Sequence, residues 1–530
     1  MRQLIFMTPL AHTTAETPSF SLPAPRLRVG KMCVAIPANS PVEMIERAEA
    51  ALQDSRFLEF RLDALPEPGE AIAAIQEFLA GRRDIIVIAT CRRKQNGGSF
   101  EAPLAVELEL LAEAAEAGCQ MVDVEVESAE EAQPQQLEEF RARLRAVGTA
   151  LLISFHDFTG TQNLEKAASR IEAFRPEFVK VVSTARSLVD NLAVLRLIEE
   201  RSLSAEVVGI AMGEEGIVSR VLGPRAGGAF TFAAANHGTE TAPGQVTART
   251  LRDLYRVEQL DQATRIFGVA GNPIANSLSP LMQNTAFRRE GVNAVLMPLK
   301  VHAVEDLLTL LRELPLAGAA VTMPFKLEVL PFLANMDPLT QRIGACNTLR
   351  TGSDGKLYGF NTDVAGVVRP LEKRLKLKGA KIAVLGAGGA ARAAVFGLLD
   401  KGAEVFIVNR THETAVALAK EAKAHTLKHS QLSLHTFDAL INSTPCGMRG
   451  AKQAMPIAED ELNAALVFDM VYNPLETPFL KLARSRGIPT ISGLEMFVQQ
   501  GARQFEIWTS KPAPEAEMQR VVELELRRRG

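Results

Sequence analysis

A lysine stands in the middle of an apolar run at "FVKVVST", residues 178–184. Phe178, Val179, Val181 and Val182 are the aromatic and β-branched residues that fill a strand covered on both faces. An ammonium in such a place must find a partner or lose its proton, and a lysine made neutral attacks carbonyls. The plainer reading is an edge lysine that reaches solvent along its own stem. Neighbouring apolar runs favour the chemical one, because each ends in polar groups. They are Glu59, Arg61 and Asp63 in "EFRLD", Arg92 in "TCR", His156 in "SFHDF", Ser219 and Arg220 after "VVGIAMG", and Thr241 to Gln245 in "TAPGQ". Three arginines, a glutamate, a histidine and a lysine at one rim point to a polyhydroxylated carboxylate substrate and carbonyl chemistry.

A second constellation reads a nucleotide. "KIAVLGAGGAARAAVFGLL", residues 381–399, is a strand, a glycine turn and an alanine-rich helix. Gly386, Gly388 and Ala391 fit the G-x-G-x-x-A fingerprint, whose glycines permit a tight turn and close approach to a pyrophosphate. Gly386, Ala387, Gly388, Gly389 and Ala390 are therefore the candidate phosphate contacts. The next strand, "EVFIVNRT" (404–411), ends in Asn409, Arg410 and Thr411 where an NAD site places a carboxylate. A guanidinium there attracts a 2′-phosphate, so the expected cofactor is NADP. No C-x-x-C pair occurs among the five cysteines and no metal site is expected.

The elements that must position these groups repeat. Strand candidates start at residues 32, 58, 85, 121, 151, 178, 207 and 229, with helical apolar spacing between them, as in "PLAVELELLAEAAEAG". Eight near-equal strand–helix units in this length predict a closed (β/α)₈ barrel, whose chemistry sits at the carboxyl ends of its strands. A doubly wound open sheet is the competing arrangement. "TARTLRDLYRVEQL" reads as the barrel's closing helix and runs almost directly into "TRIFGVAGNPIANSLSP", so the two halves are expected to touch. The 530 residues are too many for one core. A net charge of −3 and a pI near 6.3 give no reason to expect nucleic acid or an anionic membrane as partner. No run is long enough to span a bilayer. Residues 1–28 read as a disordered tail whose four-residue apolar run is too short for a signal-peptide core. Scattered cysteines of odd number fit a reducing, cytoplasmic setting.

"EFRLD", "TCR" with its following "GG", "SFHDF", "VKVVSTA", "SR" and "APGQ" together resemble type I 3-dehydroquinate dehydratase over residues 30–250. The resemblance implies that Lys180 forms a Schiff base with the C3 ketone of 3-dehydroquinate, and that His156 removes the C2 proton and then protonates the departing hydroxyl. Arg220, Thr241 and Gln245 would hold the carboxylate and ring substituents, and Glu59, Arg61 and Arg92 the hydroxyl groups. Two departures stand out. Where the family commonly has Glu-Gly-Gly, this chain has Asn96-Gly97-Gly98, which would leave His156 a neutral partner and a less basic ring; Thr241 replaces the usual serine but keeps its hydroxyl.

"GNPIANSLSP", "VTMPFK", "CNTL", "NTDVAG", "GAGGAAR", "NRT" and "VQQGARQFEIW" occur in an order that resembles shikimate dehydrogenase over about 264–530. By that resemblance Ser277 and Ser279 hold the substrate carboxylate, and Thr322, Asn347 and Gln500 its hydroxyls. Lys326 and Asp363 form the catalytic pair, Tyr472 lies near the substrate, and Gly493 and Met496 lie near the nicotinamide. Thr444 and Met448 would touch the cofactor from "NSTPCGM", where Pro445 and Cys446 depart from the family pattern. The helix-cap reading of Ser277, Ser279 and Asp363 is the plainer alternative.

The implied architecture is a (β/α)₈ barrel (29–250), a substrate-binding domain (264–362, completed by 493–530) and a Rossmann NADP-binding domain (363–492). The order resembles bifunctional 3-dehydroquinate dehydratase/shikimate dehydrogenases, best known from plants. It implies dehydration of 3-dehydroquinate to 3-dehydroshikimate and reduction of that product to shikimate, by a cytoplasmic monomer or homodimer whose partners are these small molecules. The rivals are a dehydrogenase carrying an impaired barrel, a quinate/shikimate dehydrogenase using NAD, a non-catalytic metabolite sensor, and a class I aldolase. The last would explain Lys180 but not the arginines or "APGQ".

Overall fold

The computed structural model describes residues 27–529. The tail expected over 1–28 therefore falls, up to residue 26, outside the described residues. Eight short strands form one parallel sheet: β1 (Met32–Ile36), β2 (Phe57–Arg61), β3 (Ile86–Thr90), β4 (Met121–Glu125), β5 (Ala150–His156), β6 (Phe178–Thr184), β7 (Glu206–Met212) and β8 (Thr231–Ala234). Each pairs with the next up to β7, and β1 also pairs with β8. Between β7 and β8 no ladder forms, but the Ala229 N–H donates to the Val207 carbonyl at 2.7 Å and brings the ring together there. The sheet is a nearly closed barrel wrapped by helices.

Alternation along the strands explains both the core and the site. Phe57, Ile88, Met121, Leu152, Phe178 and Val208 cluster with Phe230 and Phe232 as an apolar plug inside the barrel. Phe57 meets Phe230 edge to face, with centroids 4.8 Å apart. Two residues further along the same strands the inward positions are Glu59, Thr90, Asp123, Ser154 and Lys180, and register puts Ser154 beside Lys180 and Thr90 beside Asp123. A hydrophobic floor thus carries a polar layer at the carboxyl ends of the strands.

The expected closing helix is not a regular one. Thr250–Tyr255 forms a wide π-helical turn, and Arg256 takes a left-handed conformation (φ 55°) before a 3₁₀ turn at Val257–Gln259. Leu251, Tyr255 and Val257 are all buried, which the widened, broken turn achieves within a short span.

A second sheet runs in the order β10-β9-β11-β13-β14-β12, from β9 (Arg265–Gly271), β10 (Ala294–Lys300), β11 (Leu316–Val321), β12 (Asn335–Met336), β13 (Thr348–Thr351) and β14 (Leu357–Phe360). A third is wholly parallel, in the order β17-β16-β15-β18-β19-β20, from β15 (Lys381–Leu385), β16 (Glu404–Val408), β17 (His425–Thr426), β18 (Ala439–Asn442), β19 (Val467–Asp469) and β20 (Thr490–Ile491). That is a Rossmann-type arrangement. The helix Gly493–Thr509 returns to the second sheet, where Trp508 packs on Phe267 and its indole N–H donates to the Leu349 carbonyl at 2.9 Å. The barrel meets the second sheet through Lys300, which pairs with Glu214 (2.7 Å) and Glu215 (3.2 Å), and through Arg225, which donates to the Thr264 and Gln262 carbonyls. Among the described residues no helix is long and apolar enough to cross a membrane.

Candidate active sites

The polar layer of the barrel floors a cavity of about 150 Å³. The eight barrel residues to which the resemblance gave a site role line it: Glu59, Arg61, Arg92, His156, Lys180, Arg220, Thr241 and Gln245; Asp63 and Ser219, also named at the rim, do not. Lys180 is 5% exposed. Its Nζ donates to Asp123 Oδ2 at 2.9 Å, lies 3.9 Å from Glu59 Oε1, and sits 4.2 Å from the centre of the Phe232 ring. Arg92 reaches Asp123 (2.7 Å), Glu125 (3.0 Å) and the Ser154 hydroxyl (2.8 Å), so its guanidinium is committed to the floor. Arg61 is held by Asp63 through two bonds, at 2.8 and 2.9 Å, and Glu59 accepts from Thr90 at 2.8 Å.

Two groups in this cavity are under-partnered. Arg220 is 1% exposed, yet it donates only to the Pro243 carbonyl at 3.2 Å and its Nε has no partner. Burial pushes its guanidinium down to about 10. A cation so placed, with no carboxylate among the described residues to pair it, keeps donors free for an anion. His156 Nδ1 is likewise buried and unpartnered. Burial, then the charges of Arg92 and Lys180, hold this imidazole well below the ordinary histidine value. Asn96 also lines the cavity, but its amide donates to Glu127 at 3.4 Å and not to His156. The "TAPGQ" loop is held over the site by the Thr241 N–H and hydroxyl, which donate to Gln245 Oε1 at 2.7 and 3.2 Å.

Asp123, Glu125 and Ser154 were missed in the sequence, although "MVDVEV" places two carboxylates in an apolar strand and poses the same question as the lysine in "FVKVVST". Burial pushes the Asp123 carboxyl up, but Arg92 and then Lys180 more than offset it and hold it well below the usual carboxylate range.

The second cavity, about 630 Å³, lies between the second and third sheets. Ser277, Ser279, Thr322, Lys326, Asn347, Asp363, Tyr472 and Gln500 line it, together with Ala390, Met448, Gly493 and Met496 of the cofactor candidates. Lys326 Nζ donates to Asp363 Oδ2 at 2.6 Å, and Asn347 Nδ2 to Asp363 Oδ1 at 2.8 Å. Asp363 opens the helix Asp363–Glu372 without capping it, so both its oxygens serve the cavity side. Asn347 is more committed than the sequence implied. Its Oδ1 accepts from the Thr362 N–H and the Thr348 hydroxyl, leaving one amide N–H for a ligand. Ser277 Oγ accepts the Ser279 N–H at 3.3 Å, but the helix Ser279–Arg289 is preceded by Leu278 and has no side-chain cap, so neither serine is the helix cap of the plainer reading.

Gly386, Ala387, Gly388, Gly389, Asn409, Arg410, Thr411 and Thr444 do not line this cavity; they stand just beyond the carboxyl ends of β15, β16 and β18. Gly386 needs to be glycine. Its φ is +115°, and a Cβ there would meet the Ser443 Oγ at 2.5 Å. Gly388 and Gly389, at the start of the helix Gly389–Asp400, face open space, with no heavy atom within 4 Å of a Cβ built on either. Asn409 is turned into its own loop by bonds to Thr411 and Thr414, whereas Arg410 is exposed and has no hydrogen bond or ion pair with any described residue.

Family models match this chain along most of its length: type I 3-dehydroquinase at residues 32–262, the shikimate dehydrogenase substrate-binding domain at 269–349, shikimate/quinate 5-dehydrogenase at 370–470, and the shikimate 5′-dehydrogenase C-terminal domain at 493–523. A chloroplastic bifunctional 3-dehydroquinate dehydratase/shikimate dehydrogenase of Arabidopsis thaliana is 33% identical over 508 residues, covering 91% of this chain and 82% of that one. A shikimate dehydrogenase (NADP(+)) of Methanosarcina acetivorans is 40% identical over 272 residues, which is 49% of this chain and 97% of its own. Among solved structures, the shikimate 5-dehydrogenase of Thermus thermophilus in complex with NADP(H) and shikimate is 34% identical, covers 49% of this chain and 99% of its own, and superposes with a TM-score of 0.46. The chain belongs to the family of bifunctional 3-dehydroquinate dehydratase/shikimate dehydrogenases.

Proposed function

We propose that the barrel dehydrates 3-dehydroquinate to 3-dehydroshikimate and that the second half reduces this product to shikimate with NADPH. The observation that carries the reading is that each of two separate cavities in one chain holds a lysine in contact with a carboxylate, Lys180 with Asp123 and Lys326 with Asp363. In the barrel, Lys180 condenses with the substrate ketone. The resulting iminium draws electrons and acidifies the adjacent C–H, and His156, kept neutral by its surroundings, takes that proton and later returns one to the leaving hydroxyl. Arg220 binds the carboxylate with its unused donors, while Arg61, Glu59 and Gln245 orient the hydroxyls.

Beside the second cavity, beyond the carboxyl ends of β15 and β16, the open helix start at Gly388–Gly389 and the free guanidinium of Arg410 suit the phosphates of NADP. Bound there, the cofactor supplies the hydride. Lys326 donates a proton to the ketone oxygen and offsets its charge, with Asp363, itself held by the Asn347 amide, fixing the ammonium. Ser277 and Ser279 hold the carboxylate, and Thr322, Gln500 and the remaining Asn347 N–H the hydroxyls. Tyr472, stacked on Phe497 with centroids 4.9 Å apart, forms a wall.

The test uses the full chain. Adding 3-dehydroquinate alone should raise the enone absorbance, and NADPH added next should be consumed. The unpartnered His156 Nδ1 and Asn96 favour one second reading, a dehydrogenase with an impaired barrel. Under it no enone forms, while NADPH is still consumed on supplied 3-dehydroshikimate. Failure of both steps removes the proposal.

A further inference from the structure

The carboxylate nearest Lys180 belongs to no motif. We propose that Asp123 is the lasting counterion of Lys180 and orients the imine, staying ionised while it holds first the ammonium and then the iminium N–H. The inference rests on reading Lys180 as the imine-forming group.

The charge count of the reaction favours such a partner. A lysine ammonium and a ketone condense to an iminium and water: the C=O bond is replaced by C=N, two ammonium protons leave with the oxygen, and the third stays with the positive charge on nitrogen. Charge under the cavity is the same before and after. A carboxylate that never takes a proton matches both states, and a carboxylate that shuttled protons would match neither.

Asp123 is built for the permanent role. It is 2% exposed and clamped on three sides: Oδ1 accepts from the Ser154 hydroxyl at 2.6 Å, and Oδ2 from Arg92 at 2.7 Å and Lys180 at 2.9 Å. Glu59 Oε1, at 3.9 Å from Nζ, is outside hydrogen-bond range and is already taken up by Thr90. The ring of Phe232 covers another side of the ammonium. An iminium keeps a single N–H, and that bond lies in the plane of C=N. Pinning it on Oδ2 therefore fixes the plane of the attached ring carbons and so which C–H is turned to His156.

Four proteins decide it: wild type, Asp123→Asn, Asp123→Glu and Ser154→Ala, each as the full chain so that shikimate oxidation reports folding of the other half. Borohydride with substrate should first fix a mass adduct on Lys180 in the wild type. Without that adduct the reading of Lys180 fails, and this inference with it. With it in place, Asp123→Asn is expected to lower dehydratase kcat at least 100-fold and to move the pH midpoint for acylation of Lys180 down by a unit or more. Dehydrogenase turnover should stay within twofold, and Asp123→Glu should recover at least tenfold. Ser154→Ala keeps the charge but frees Oδ1, so kcat should fall about tenfold with the acylation midpoint unmoved, a result that stands even where Asp123→Asn unfolds the barrel. A kcat within threefold of wild type in Asp123→Asn, an unmoved midpoint there, or a moved one in Ser154→Ala overturns the inference while leaving the Schiff base intact.

Discussion

Replacing Arg220 by methionine should make the free protein more stable and the dehydratase far worse. The guanidinium is buried with one backbone acceptor and no carboxylate partner among the described residues, and burial pushes it well below the ordinary arginine value, to about 10. That displacement corresponds to about 3 kcal/mol of native-state cost for carrying the charge at neutral pH. The sign follows from linkage: a cation whose folded value lies below its unfolded one opposes folding wherever both states are protonated, and the cost fades only as pH rises through about 10. Methionine keeps most of the stem's packing and removes the charge, so after some loss of contacts a net gain of about 1–2 kcal/mol is expected. The same change removes the receptor for the substrate carboxylate, which at about 3 kcal/mol is roughly a 100-fold drop in kcat/KM. Urea unfolding followed by far-UV circular dichroism at pH 7.5 reads the first effect and enone formation reads the second. Trp508, the single tryptophan, lies in the other half and should report an unchanged transition by fluorescence. A variant that is less stable than the wild type, or one that keeps its dehydratase kcat/KM within threefold, refutes the account of Arg220 as an unpaired charge held for substrate.

The remaining expectations concern the acid–base groups and the cofactor. Because burial and the nearby cations hold His156 below the usual value near 6.5, dehydratase kcat/KM should stay level from about pH 7.5 to 6, where a free imidazole would already lose base strength. The unfolded chain takes up that proton first as pH falls, so barrel stability should decline below about pH 6.5; a denaturation series across this range checks it. Asp363→Asn leaves Lys326 without its 2.6 Å partner; dehydrogenase kcat should fall about 10²–10³-fold while enone formation is unchanged, measured on the two substrates separately. Arg410→Asp sets a carboxylate where a 2′-phosphate would lie, and the ratio of NADP to NAD efficiency should fall by about 100-fold; an unchanged ratio would show that Arg410 does not read that phosphate.

The eight strands of the barrel were legible because a buried parallel strand leaves a conspicuous apolar run, and the start of each is found within three residues of its expected place. Lys180 was legible for the converse reason, as a charge such a run does not tolerate. The same logic applied to "MVDVEV" would have found Asp123 and Glu125, yet no local feature says which basic groups face them. The "TARTLRDLYRVEQL" segment has a helical pattern and ends in a π turn and a left-handed Arg256, since burying Leu251, Tyr255 and Val257 outweighs regular hydrogen bonding there.

Residue type and spacing along the chain were enough to point to a barrel, a nucleotide fold and the barrel's polar rim, since periodicity and turn chemistry are local properties; Lys326 and Asp363 came only with the resemblance to shikimate dehydrogenase. Pairing is not local. Asp123 meets Lys180 across 57 positions, and Asp363 meets Lys326 across 37. Whether Arg220 is paired, whether Asn96 reaches His156 or Glu127, and how much of Asn347 is left for a ligand depend on which side chains the closed barrel and the packed sheets bring within 3–4 Å. At that range, in a buried setting, each such contact changes the charge a group can hold, and with it the chemistry it can do.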